Sequence, residues 1–289
     1  MDIGQIPVRV IGPGSQPENE DGQTLSYIDM PGDMWTYQPP SMPEPAAVID
    51  LVGAREAMLW LRGALQRYND DASMPQFADL TALDEKERDL VNQILGEGEV
   101  AIMTTGATPA RTQESVLAGV WRTLYCDDDD NVILDLLEVA DAPHVARLPV
   151  ANPLSINPNP DDLPDGVINA LPILVELASY CSGYETSRSP QSINLTLLPL
   201  TEADLVFLDE QLGRGPVDTL SRAYGKCQVI STLVPNVWWV RFYNSMGSLI
   251  LSTLEVVDVP PVICAAPEDL QDSATRLEGL LTPYWPDVA

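Results

Sequence analysis

The chain has 289 residues, long enough for two domains of roughly 100–150 residues and a sizeable core. Its 43 acidic against 15 basic residues give a net charge of −28, which repels nucleic acid and anionic lipid and favours basic partners and solubility. No apolar run approaches the ~20 residues of a membrane span, residues 1–11 lack the basic and apolar regions of a signal peptide, and four scattered cysteines without CxxC spacing suit a reducing cytoplasm.

Residues 1–44 read as an extended lead-in. Residues 6–11 suit one strand, Gly12-Pro13-Gly14 breaks it, and proline recurs at 31, 39, 40 and 43. The Gly-Pro-Gly segment is no phosphate loop, because no Lys-Ser/Thr follows and no helix opens after it. From Pro45, Leu51, Ala54, Met58, Leu61, Leu65 and Tyr68 recur at steps of three and four, which predicts a helix ended by Asn69-Asp70-Asp71. Residues 76–83 suit a strand. Residues 84–95 suit a second helix with Asp84 as N-cap and Gly96 as terminator. Strands follow at 100–104, 112–125 and 132–140, the long one bent or split at Gly119. Asp127 to Asp130 with Asn131 form a solvated turn; a calcium loop would need a glycine and a distal Glu that are missing.

A proline-rich linker, 149–164, precedes a second series. A helix is expected where Ile168, Leu171, Val175 and Ala178 recur, with Pro172 kinking or restarting it. A strand at 193–198, a helix opened by Thr201, and strands at 217–221, 227–234, 237–243 and 249–257 come next. Pro267 then starts a last helix to Leu281, with Glu268 and Asp269 in its first turn.

The two series match at one offset of 117 residues. Leu95-Gly96-Glu97-Gly98-Glu99-Val100 falls on Leu212-Gly213-Arg214-Gly215-Pro216-Val217. Trp121 falls on Trp238, Leu137-Glu138-Val139 on Leu254-Glu255-Val256, Asp141 on Asp258 and Pro143 on Pro260, without a gap. An offset held across unlike residue types points to an internal duplication. The expected fold is α+β: a tandem, pseudo-two-fold pair of helix–strand–helix–antiparallel-sheet modules at 45–148 and 165–266, with an extra C-terminal helix and tail at 267–289.

Reactive groups are scarce. The single histidine, His144, reads as a surface loop residue, so a Ser-His-Asp or Cys-His nucleophile has little to rest on. Paired Cys or His at zinc-ligand spacing and nucleotide-binding glycine motifs are absent. The basic and aromatic residues of the second series form the candidate site: Arg214, Arg222, Tyr224, Cys227, Trp239 and Arg241. Alternation places Trp238 on one face and Trp239, Arg241 and Tyr243 on the other, the composition of a protein-interaction patch. A covered second layer is the competing reading. Cys227 beside Lys226 is either a reactive thiol or a buried one.

These same segments carry a resemblance. Gly-Arg-Gly-Pro-Val, Tyr-Gly-Lys-Cys, Val-Trp-Trp-Val-Arg-Phe-Tyr-Asn-Ser, Leu-Glu-Val-Val-Asp-Val-Pro and Ala-Ala-Pro-Glu-Asp-Leu-Gln-Asp-Ser resemble the C-terminal region of the HupH/HyaF family of hydrogenase expression/formation proteins. Gly-Pro-Gly-Ser-Gln, Gly-Glu-Gly-Glu-Val and Gln113-Glu114-Ser115 with Gly119-Val120-Trp121-Arg122 look like the same family's N-terminal half. The resemblance implies a cytoplasmic, non-enzymatic accessory protein for [NiFe]-hydrogenase maturation. It would bind the iron–sulfur small-subunit precursor before export, and other maturation proteins, with no cofactor or metal of its own. Two alternatives stand beside it: a metal or iron–sulfur carrier using Cys227, and an enzyme using carboxylates alone.

Overall fold

The structure, a computed structural model, describes residues 48, 50–72, 74–106, 109–160, 163–185, 189–222 and 225–285. The strand expected at 6–11 lies outside the described residues. The first series folds as α1 (Val52–Asp70), β1 (Gln76–Asp79), α2 (Glu85–Leu95), β2 (Val100–Thr104), β3 (Ala110–Glu114), β4 (Val120–Cys126), β5 (Val132–Val139) and a 3-10 turn, His144–Arg147. The second folds as α3 (Ala170–Ser182), β6 (Gln191–Asn194), a 3-10 turn at Leu195–Leu197, α4 (Glu202–Leu212), β7 (Arg214–Ser221), β8 (Lys226–Thr232), β9 (Val237–Tyr243), β10 (Leu249–Val256) and a 3-10 turn at Pro261–Ile263. Last comes α5 (Pro267–Leu281). Helix and antiparallel sheet are thus mixed, as composition and periodicity imply. The helices α2 and α4, and the strand pairs β4/β9 and β5/β10, begin and end 117 residues apart.

Local chemistry explains the helix ends. Asp84 and Thr201 each accept the N–H of the residue three on, Glu87 and Asp204, whose carboxylates accept the cap N–H in return. Both acids also reach back to the preceding helix. Glu87 accepts Gly53 N–H at 2.7 Å, and Asp204 accepts Ala170 N–H at 2.9 Å, the corresponding position. Asp204 further accepts the N–H groups of Ile168 and Asn169, both at 2.8 Å. Each acid therefore ties two helix starts together. Pro172 does not kink α3. The helix starts only at Ala170, so the missing proline N–H falls in the first turn, where it has no intrahelical partner to lose.

The ten strands make one antiparallel sheet in the order β1-β5-β4-β3-β2-β7-β8-β9-β10-β6. At its centre β2 pairs with β7, and the register places Ile102 opposite Thr219, its own counterpart at +117. From there most residue pairs recur at the same offset on both sides. Val120 faces Val139 as Val237 faces Val256, and the bulge at Tyr125/Cys126 recurs at Phe242/Tyr243. The expected long strand is split, with Gly119 (φ 76°) and Asn236 (φ 61°) turning the chain at corresponding positions. Two places depart: β7 starts three residues earlier than β2 and meets β8 with an irregularity between Arg214 and Asp218, and the edge strands differ in register. Phe77 faces Glu138, but Ser192 rather than Asn194 faces Glu255. That two-residue slip keeps each side chain on its face, because the strand period is two. It also shortens the strand expected at 193–198, whose end becomes the 3-10 turn Leu195–Leu197.

Three apolar clusters result. α1, α2 and α5 cover one face of the first half; α3 and α4 cover the corresponding face of the second. The third cluster lies on the opposite face and draws Ile102, Trp121, Val217 and Trp238 from both halves. The repeated Leu-Gly-x-Gly motif serves this geometry. Gly96 (φ 57°) and Gly213 (φ 61°) close α2 and α4 in a backbone region costly to other residues. A Cβ on Gly98 would lie 2.3 Å from Ser115 O, and one on Gly215 2.4 Å from Ser231 Oγ.

Candidate functional site

The five described residues of the six picked out by sequence do not converge on one surface. Arg214 and Arg222 are exposed. They sit at opposite ends of β7, ~25 Å apart at the usual rise per residue. Tyr224 lies outside the described residues. Cys227, Trp239 and Arg241 are buried. Trp239 packs in the cluster under α3 and α4, its indole N–H donates to Ser252 Oγ at 2.8 Å, and the Arg241 guanidinium lies 4.3 Å over its ring. The aromatic-plus-arginine face is therefore a covered layer. Alternation correctly separated Trp238 from Trp239, but it carries no information on what lies above either face. Burial, then the nearby Glu255 carboxylate, pushes the Cys227 thiol up to about 12. A thiol so buried and protonated is a poor nucleophile at neutral pH, which agrees with the buried one of the two readings of Cys227.

A cavity of about 760 Å³ opens beside β2, lined by Glu99, Glu114, Arg222, Cys264 and Asp269 among others. Burial pushes the Glu114 carboxyl up to about 7, with the Glu99 charge adding to it. The backbone N–H groups of Gly119, Glu99 and Val100 favour its charged form without outweighing burial. Its counterpart Ser231 accepts Val217 N–H at 2.9 Å, the same strand position. At the matching place in the first half stands Glu114, a buried carboxyl beside the start of β2. Burial, with the Asp141 carboxylate adding, pushes the Cys264 thiol up to about 12.

His144 is not a loose surface residue. Its backbone N–H donates to Glu138 Oε1 at 2.9 Å, and its Nδ1 lies 2.8 Å from Glu138 Oε2. Nε2 shares a hydrogen bond with the Tyr125 hydroxyl, and Phe77 meets the ring edge-on. Burial first, then the Glu138 charge, raises the Tyr125 pKa, so the phenol stays protonated and donates. None of these three groups is a Ser or Cys nucleophile, and the set pins the His144–Arg147 turn to the sheet.

Sequence reasoning missed Arg147. It donates from Nη2 to Asp141 and from Nε to Asp258, both at 2.8 Å, and so joins the two corresponding aspartates. Burial opposes its charge, but both carboxylates raise its pKa further. The matched aspartates were visible at the 117-residue offset. Their shared partner was not, because Arg147 corresponds to Cys264 and has no copy.

With this geometry in place, relatives can be compared. The profile described as HupH hydrogenase expression protein, C-terminal conserved region, matches residues 55–152 and again 167–284. The chain belongs to the HupH hydrogenase expression protein family. Among its relatives, the hydrogenase expression/formation protein HoxQ of Cupriavidus necator is 43% identical over 284 residues, covering 97% of this chain and 98% of that one. HupH of Rhodobacter capsulatus is 38% identical, covering 96% of each. The hydrogenase-1 operon protein HyaF of Escherichia coli K12 is 31% identical, covering 93% of each. Both matched regions of the family profile contain the Leu-Gly-x-Gly turn, the buried tryptophan and the Leu-Glu-Val strand. Among the described residues no helix is long and apolar enough to cross a membrane, and no group of three or more His, Cys, Asp or Glu could hold a metal ion.

Proposed function

We propose that this chain is an accessory factor in [NiFe]-hydrogenase maturation that works in the cytoplasm by holding another polypeptide, the iron–sulfur small-subunit precursor, before export. The observation that carries this reading is near-full-length kinship with proteins named for hydrogenase expression and formation. The chemistry supports a non-enzymatic role. Glu114 is buried, Cys227 is buried and protonated, and His144 is held between Glu138 and Tyr125. A carrier role for Cys227 would first require the sheet to open. Of the candidate patch, Arg214 and Arg222 are the described residues placed to meet a client. In this reading the fold is a duplicated module, 45–148 and 165–266, related by a pseudo-two-fold at Ile102/Thr219, and the duplication supplies a long rigid sheet rather than two sites.

Affinity-tagged chain purified from a hydrogenase-producing strain tests the reading. The small-subunit precursor is expected to co-purify in stoichiometric amounts and to be lost when its gene is deleted. Intact, folded protein that brings down no hydrogenase subunit would sink it.

A further inference from the structure

The helices α1 and α3 hold corresponding places and make corresponding contacts. α1 packs on α2, β1 and β5, and α3 on α4, β6 and β10. Among the described residues, the packing of α5 on α1 has no counterpart on α3. α5 lies along α1, where Met58, Leu61 and Leu65 share a cluster with Leu270, Leu277 and Leu281. It begins over the β3–β4 turn: Leu270 closes on Gly119, and Ser273 Oγ donates to Ala118 O at 3.0 Å. In the second half the matching turn residues, Pro235 and Asn236, are exposed. So is the matching stripe of α3. Val175 is 54% exposed where its counterpart Met58 is fully buried, and Ile168 is 68% exposed. Leu171 and Ala178 continue that stripe at helical spacing, half-buried.

Charge separates the two faces further. α1 carries Arg55, Arg62 and Arg67 against Glu56 and Asp70, and the helix that covers it is acidic, with Glu268, Asp269, Asp272 and Glu278 against Arg276. The basic and acidic residues of α1 and α2 together balance, whereas α3 and α4 are purely acidic. They carry Glu176, Glu202, Asp204, Asp209 and Glu210 and no Lys or Arg. The α5 of a second copy would bring like charges to this face, and it already covers its own α1.

We propose that the open stripe of α3, from Ile168 through Val175 to the Pro235 turn, is a docking groove for an amphipathic helix of a partner protein. The partner helix carries an apolar stripe at i, i+3, i+4 and i+7, flanked by Lys or Arg. It takes the place that α5 takes in the first half. The inference rests on the asymmetry between two matching surfaces and stands apart from the maturation reading.

A synthetic peptide with a leucine stripe flanked by lysines, and its twin with glutamates, can be titrated against the full chain by fluorescence anisotropy. The lysine peptide is expected to bind, and the glutamate twin to bind at least roughly tenfold more weakly. Val175→Asp and, separately, Ile168→Asp should each weaken the lysine peptide by roughly tenfold, while Met246→Ser, exposed on the β9–β10 turn, leaves it unchanged. Both groove side chains are exposed, so the thermal midpoint should hold and confirm that the variants fold. Equal binding to wild type and Val175→Asp would mean diffuse attraction to an acidic chain and would overturn the proposal. Absence of binding would overturn it too. So would a photo-crosslink from position 175 to this chain's own residues 1–47 or to a second copy.

Discussion

Glu114 shows how one side chain can look catalytic and be structural. Its counterpart, Ser231, is a neutral hydroxyl that accepts Val217 N–H, so the second half fills this position without a charge. Burial holds the folded carboxyl near 7, above its usual 4.5. The folded chain therefore binds that proton more tightly than the unfolded chain. The resulting stability is fully present below about pH 4.5 and is lost as pH rises through about 7. Its full size is on the order of 3 kcal/mol. Glu114→Gln keeps an acceptor and cannot ionise. Urea midpoints measured between pH 5 and 8 should fall with rising pH in the wild type and fall less steeply in Glu114→Gln. Parallel slopes would show that the carboxyl ionises freely in the fold. The same lesson applies to Trp239 and Arg241. Their residue types promised an interface, yet a cation–π pair beneath two helices serves as well to fill a covered layer.

Among the elements, the helix starts were the most legible and also the most informative about coupling. Asp204 is fully buried and accepts from the backbone N–H groups of Ile168, Asn169, Ala170 and Thr201. Burial alone would raise its pKa, but those donors outweigh it and hold the carboxyl down at about 2. Asp204→Ala leaves these donors without their acceptor and should cost about 3 kcal/mol or more. The wild-type contribution is present above about pH 4 and is lost as pH falls through about 2, so the variant's acid limb should be flatter. The matched change Glu87→Ala removes a half-buried acid with fewer donors and should cost only about 1 kcal/mol. Equal losses in urea unfolding would contradict the assigned difference in burial. Capping residues, glycine terminators and the 117-residue offset are local or internal comparisons, and one sequence holds them in full. The edge strand β6 was misjudged because a two-residue slip changes neither face nor pattern. What covers α1, and fails to cover α3, depends on where α5 returns in space. No periodicity in α5 itself records that destination.

For the whole molecule, the decisive contact is the pairing of β2 with β7. It merges the two α+β halves into one sheet, and the buried cluster on the face opposite the helices draws on both. Arg147 adds a second tie by joining Asp141 to Asp258. If the halves were lobes joined by a linker, each would unfold on its own terms. Shared sheet and shared core instead demand one cooperative event. Ile102 stands at the centre of that join, 1% exposed and opposite Thr219. Ile102→Ala removes buried methyl groups there and should cost about 3 kcal/mol. Its signature is where the loss appears. Pulsed hydrogen exchange across a urea series, read by mass spectrometry on peptides from β4 and β9, reports each half separately. Both strands should lose protection at one urea concentration in the wild type, and both midpoints should fall together in Ile102→Ala. A shift confined to β4, with β9 still protected, would show that the halves fold as independent lobes and that the central pairing is only a contact between them.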